Sequence, residues 1–513
     1  MPLTKMQIQP GVFKDDTVYS QAGRWVDSEK VRFMKGRPEK IGGWAKLTTD
    51  PMDTGVVRTL LPFRANNTER FIGIGTHSHL YLYDDQESDK IVDITPGSNY
   101  DAGAQHTTIS SGVYSYAGIW TLDTLGEDLI GVNHITDDSS EPGKLYKLDI
   151  STYQSNASTN AAVVSNAPSS VNGVVVHQDS GITVCYGAHD GSADAPMRVA
   201  WSDINDIDDW TATLDNFAGA QELHGGNLLL AGIRTKGQIL LFSDTAAFSM
   251  TFVGQPDVFQ FQALAENAGI VGPQACVEHN GVVYWMGNDG FYMYNGQVQN
   301  IPCSVERHVF DNLTKQQKLK CFAGLNAKFN EVWFFYPVGA NDAADDITNY
   351  VIYNYAEQLW SVGTLARGAW APEGIYDNPL AAGTSATAVA ASTTYIYKHE
   401  SGTDDESSAM TASITSGDVE LPQDGDDLMF INDFIPDFQD QAGNVTVTLK
   451  FRDHPNGTQR TEETITAATS TTHASMRARG RQISMVVSSA ATSSHWRLGD
   501  VRFNMQPDGK RNT

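Results

Sequence analysis

The sequence predicts an all-β chain whose body is a β-propeller of about six or seven irregular blades. Three observations carry this. The chain has 513 residues with only 19% charged side chains and 45 glycines, a composition of short strands and many turns rather than long helices. Strand–turn–strand units recur along it. Many of their strands are almost continuously apolar, so both faces are expected to be covered, as they are when small sheets pack around an axis.

The clearest unit is "GVVYWMGNDGFYMYNG", residues 281–296, where Asn288, Asp289 and Gly290 supply the reversal between two apolar runs. Residues 70–84 and 128–149 repeat the pattern, as do segments near 173–201, 227–244, 331–362 and 386–400. An aromatic marks each unit: Tyr81, Tyr146, Trp201, Phe242, Tyr292, Tyr353 and Tyr395, about 40 to 65 residues apart. These units bound a propeller domain at 52–405. Residues 399–418, polar and rich in Ser and Asp, read as a linker. Alternation in "NVTVTLKFRD" and beyond predicts a C-terminal β-sandwich over 406–513. The one helix expected lies at 312–325, with Asn312 as its cap.

Charge limits the partners. With 35 Lys+Arg against 61 Asp+Glu, net −26, the chain is not built to grip a nucleic-acid backbone. Its acidity fits a soluble surface, or a wall past which a polyanion slides without sticking. The four cysteines form no C-x-x-C pair, so neither a disulfide scaffold nor a zinc ribbon is expected. The N-terminus lacks the apolar core of a secretion signal, and no apolar run is long enough to span a membrane.

No stretch carries a convincing catalytic or metal constellation. His77 and His79 in "THSHLYL" share a strand face without a third ligand. "WSDINDIDDW", residues 201–210, fails the order of a calcium loop and reads as Asx-turns over Trp201 and Trp210. "IGIGTH" lacks the third glycine of a dinucleotide site. The chain is therefore expected not to be an enzyme and to carry no cofactor and no metal. A carboxylate pair of the glycosidase kind keeps a tailspike-like polysaccharide depolymerase as the alternative, beside a generic propeller scaffold.

The opening phrase "GRWVDSEKVRFMKGRPEKIGGW", residues 23–44, reads as a strand through Val31 and Phe33, a turn at "GRPEK", and glycines that let Trp44 return to the interior. With "RGRQISMVVSS" and "WRLGDVRFNMQPDGKR" near the end, it resembles the tail hub or nozzle proteins of short-tailed bacteriophages, the packaged-DNA stabilisation family. The resemblance implies a platform-like β domain completed by both ends, residues 1–51 and 406–513. It implies a homo-oligomeric ring, most often a hexamer, below the portal-adaptor (head–tail connector) protein. That ring encloses the DNA exit channel, retains the packaged genome and lets double-stranded DNA pass during ejection. Needle, plug or fibre proteins attach to it. The chain is then a virion component made in the host cytoplasm. If both ends form one domain, Arg24, Lys30, Arg32, Arg37, Arg479, Arg481, Arg497 and Arg502 are candidates for a basic docking face.

Overall fold

The computed structural model describes residues 3–86, 90–97, 100, 102–110, 113–134, 143–192, 195–420 and 428–509. Seven four-stranded antiparallel sheets follow one another as blades. The first strands of the blades are Val57–Arg64, Ile119–Leu125, Gly173–His177, Leu229–Thr235, Cys276–His279, Phe322–Asn326 and Ala369–Ala371. Each lies beside the next, and the seventh returns to the first, which closes the ring. Among the described residues the chain forms an all-β propeller of seven blades.

Six of the seven marker aromatics sit on the third strand of their blade, the exception being Phe242 on a second strand. Their spacing is uneven because loops differ, while the sheets stay constant. Buried apolar side chains cluster at the seams: Ile130, Val132 and Val174 between blades 2 and 3, and Val184, Trp201 and Phe248 between blades 3 and 4. Each seam removes two sheet faces from water, which is why the strands read as continuous apolar runs. Gly73 and Gly75 of "IGIGTH" belong to this packing, since a Cβ on Gly75 would fall 2.5 Å from the Trp120 side chain.

The seventh blade is closed by the opening phrase. Trp44–Lys46 pairs with Tyr395–His399 as the outermost strand, so these residues, read as platform, belong to the propeller. The rest of the two ends forms three further sheets. Arg24–Glu29 lies between Gln9–Val12 and Ala412–Ser416, in a sheet continued by Gln482–Ser489, Val445–Arg452 and Arg460–Ala467. Leu3–Lys5 joins Arg502–Pro507, and Arg37–Lys40 bridges to His495–Leu498. Both ends thus make one β module. Its core is continuous with blades 4 to 6: Trp25, Val31 and Phe33 share a cluster with Trp285, Trp360 and Trp496.

The structure departs from several expectations. "GRPEK" is not a turn: Arg37–Lys40 is a strand, and the reversal falls at Lys35 and Gly36, both at positive φ. Pro38 is tolerated because the strand meets its second neighbour through Glu39 alone. The expected helix 312–325 is a helix at Glu306–Asn312, a 3₁₀ turn at Lys315–Lys320 and a blade strand from Phe322. Asn312 ends the helix rather than capping it. A further short helix, Ile150–Ser155, is capped by the Asp149 side chain. The segment read as a linker is built into the fold. A Cβ on Gly43 would lie 2.3 Å from the Asp404 backbone, Trp44 donates its amide to Asp404 O, and Ala412–Ser416 is a central strand.

Candidate functional site

The joint between the terminal module and the propeller is built around Arg32. It sits on the strand Val31–Met34, where alternation would turn it outward, yet it is 1% exposed. Its Nε donates to Glu331 Oε1 at 2.8 Å and its Nη2 to Glu331 Oε2 at 3.1 Å, at the start of the second strand of blade 6. Nη1 donates to Glu400 Oε2 at 3.0 Å, just after blade 7, and Nη2 reaches the other oxygen of Glu400. The guanidinium stacks 3.6 Å over the Phe329 ring. Trp333 Nε1 donates to Glu331, and Asn326 Nδ2 and the Gly42 amide donate to Glu400. A planar guanidinium between two forked carboxylates is the geometry that only Arg provides.

Burial alone would lower the Arg32 pKa, but Glu331 and Glu400 outweigh it and hold the group charged. Two carboxylates share one cation, so one carries uncompensated charge: burial pushes Glu331 up to about 7, against the pull of Arg32 and with the repulsion of Glu400. The sign follows. A carboxyl raised in the fold binds its proton more tightly than in the unfolded chain, so its contribution is present at acid pH and lost as pH rises through 7. Glu331→Gln is expected to flatten the fall in stability between pH 5 and 8, read from urea midpoints across that range. An unchanged pH slope would refute this.

The other candidate docking residues are placed as follows. Arg37 pairs with Asp500, which also takes Lys5 Nζ at 2.6 Å, and the Arg37 hydrogen bond holds Asp500 well below the usual carboxylate range. Arg497 donates to Met34 O at 2.9 Å. Lys30 donates to Thr364 O at 3.0 Å in blade 6 and pairs with Glu29. Like Arg32, these three join the opening segment to the rest of the fold. Arg24 lies 4.5 Å over the Phe13 ring, within the opening segment itself. Arg479 pairs with Asp508, Arg481 is half-buried, and Arg502 is exposed. Outside residues 44–411 the chain holds 18 basic and 18 acidic residues, so the terminal module is balanced rather than basic. Residues 44–411 hold 17 against 43, and the whole net −26 lies there.

The axis of the propeller is crossed by protein. Gln274, bridged to Phe322 of blade 6, donates its side-chain amide to Thr59 Oγ1 of blade 1 and, at 2.7 Å, to Trp120 O of blade 2. Gln317 is paired through its side chain with the Thr107 backbone. Beside them Arg58 pairs with Asp346 at 2.6 Å, and Lys320 donates to Asp345 O at 2.8 Å and meets His106 Nδ1 at 2.7 Å. Burial, helped by Arg58, brings Lys320 down to about 7. Most of these polar groups are satisfied by one another, the exception being the buried Nε of Arg58, which has no hydrogen-bond partner among the described residues.

The residues the sequence singles out have local roles. His77 Nδ1 accepts the Val56 amide at 2.9 Å, and burial lowers its pKa to about 4. His79 bonds Ser78 Oγ instead. In "WSDINDIDDW" the Asx-turns form: Asp206 accepts the Asp208 amide, and Asp209 that of Thr211. Trp201 is buried, on the side of blade 4, and Trp210 is half-buried. Sequence reasoning misses Glu331 and Glu400; the only sign is a glutamate opening the apolar run "EVWFFYP".

A scan of protein-family models and a search of curated proteins find no match to the chain. Among solved structures, virginiamycin B lyase from Staphylococcus aureus is similar at TM-score 0.38 and 9% identity, covering 68% of this chain and 98% of its own. YCF48 bound to D1 peptide is similar at TM-score 0.37 and 10% identity, covering 70% and 97%. An exo-β-1,3-galactanase from Phanerochaete chrysosporium is similar at TM-score 0.30 and 8% identity, covering 91% and 100%. These likenesses speak to the fold alone. They still correct one expectation. The sequence reads as that of a non-enzyme, yet the structural neighbours include a lyase and a galactanase, so the architecture does not set this chain apart from enzymes.

Proposed function

We propose that this chain is a structural subunit of a short-tailed phage tail, a hub or nozzle protein. It forms a ring below the portal-adaptor, encloses the DNA exit channel, and carries needle, plug or fibre proteins. One observation supports this most. The two stretches that resemble that family, one within residues 23–44 and the other within residues 479–511, supply strands to a single β module.

Charge and packing shape the mechanism. Because Gln274 crosses each propeller axis, DNA passes between copies, through a bore fixed by ring closure. The balanced module is the seat for neighbours, and the acidic propellers repel phosphates so that the genome slides without being held. Mass photometry of the purified chain, alone and with a portal–adaptor complex, tests the reading. A closed ring, hexameric and seated on the adaptor, is expected. A monomer that ignores the adaptor would overturn it.

A further inference from the structure

Blades 3 and 4 enclose an open groove of about 1050 Å³ on the propeller. One wall is the turn at residues 211–217, and the other is the tip between the blade 4 strands Ala246–Gly254 and Val258–Glu266. The floor carries Trp201 and Phe259, almost fully buried, and the half-buried Phe261. Leu214 stands at the rim 96% exposed, with Val253 at 50%. Such apolar side chains are left uncovered by the described residues of the chain.

The walls are preformed. Gln255 Nε2 donates to Asn216 O at 3.0 Å, tying the hairpin tip to the turn. Asn216 Nδ2 holds Asp209 Oδ2 at 2.9 Å and Thr211 O at 2.8 Å, and its Oδ1 accepts the Thr213 amide. Leu214 is therefore presented by a braced loop. Along the groove runs Gly219–Glu222, the outermost strand of blade 3. It pairs with Arg198–Trp201 on one side and with no strand on the other among the described residues. An open strand edge beside apolar anchors is the arrangement that accepts an added strand.

The chemistry of the occupant follows from charge. Among the described residues the groove is lined by Glu222 and Asp257 and by no Lys or Arg, and the sequence from Val199 to Ile233 holds six acidic residues and no Lys or Arg. An acidic partner would be repelled here, and a basic one drawn in.

We infer that the groove between blades 3 and 4 is a docking site for an extended segment of another protein, one that alternates apolar residues with Lys or Arg and adds as a strand to Gly219–Glu222. This does not depend on the ring reading, since the groove lies within one subunit.

The probe is a fluorescein-labelled peptide of about ten residues alternating Val and Lys, followed by fluorescence anisotropy with the full chain. Binding is expected, with hydrogen exchange slowed at residues 219–222. Leu214→Asp is expected to weaken it by about tenfold or more, the effect of losing one anchor. Val163→Asp, the same change at an exposed residue of blade 2, is expected to leave it within about twofold. Both sites are exposed, so thermal midpoints should stay put. Equal binding of a Val–Glu peptide, or equal loss in both variants, would overturn the inference. So would protection elsewhere than 219–222, or a Leu214-dependent dimer that excludes the peptide, which would make a second copy the occupant.

Discussion

Arg32→Ala is expected to destabilise the folded chain by about 3–5 kcal/mol, because it leaves two carboxylates facing each other without their shared cation. Exposed ion pairs lose far less, since water screens what remains. Here Arg32 and Glu331 are each 1% exposed. The variant should also respond to pH: protonating a carboxylate relieves the repulsion, so its deficit should shrink as pH falls toward 5. Urea denaturation at pH 8 and pH 5 reads both effects, with Arg502→Ala, at an exposed position, within about 0.5 kcal/mol of the parent as control. A loss below about 1 kcal/mol at pH 8 would show that the cluster contributes little to the joint.

The reason for so large an effect lies in what Arg32 connects. It belongs to the opening hairpin, Glu331 to blade 6 and Glu400 to the turn that follows blade 7. Replacing the whole cluster by apolar residues could leave stability intact, as is often so for buried ion pairs. Register is the better account of its presence: a forked cation fits between two carboxylates in one arrangement only, and this fixes how the terminal module meets the propeller.

The body of the fold was legible because blade packing imposes a periodic demand. Strands such as Gly173–His177 and Glu331–Pro337 are buried at every residue, and the sequence shows it as unbroken apolar runs. The helix at 306–312 was displaced because its cap position is Val305, with no side-chain signal, whereas Asn312 imitates one. Arg32 read as exposed because alternation is a local rule, and its partners lie about 300 and 370 residues away in sequence. The same limit applies to the basic set. Lys and Arg cluster at both ends, but neighbouring acids such as Asp500 and Glu39 lie against them and neutralise them. The groove had one visible trace, Leu214 in an otherwise polar turn, and nothing in the sequence ties that turn to the tip of blade 4.

Trp44→Ala is expected to be as damaging as Arg32→Ala, but for a different reason. The indole is 1% exposed, its Nε1 donates to Asp405, its ring lies 5.3 Å from His399, and Arg367 stands 5.1 Å over it. Truncation removes the packed volume and leaves a cavity, about 3–5 kcal/mol for a buried Trp. It also strips cover from Arg367, which is buried, faces no carboxylate among its hydrogen-bond partners, and whose Nη2 is already unsatisfied. Because Trp44–Lys46 is the strand that closes blade 7, the damage should be local before it is global. Hydrogen exchange should quicken first along Tyr395–His399, the strand it pairs with, while blades 3 and 4 keep their protection until the chain unfolds as a whole. Lys46→Ala, on the same strand, removes only a solvent-exposed cation over the Tyr395 ring and a pair with Glu406, and should cost about 1 kcal/mol or less. If Trp44→Ala quickens exchange evenly over all seven blades, the ring opens as one unit and the damage is not local to blade 7; if exchange along Tyr395–His399 stays at the parent rate, the propeller is stable without closure by Trp44.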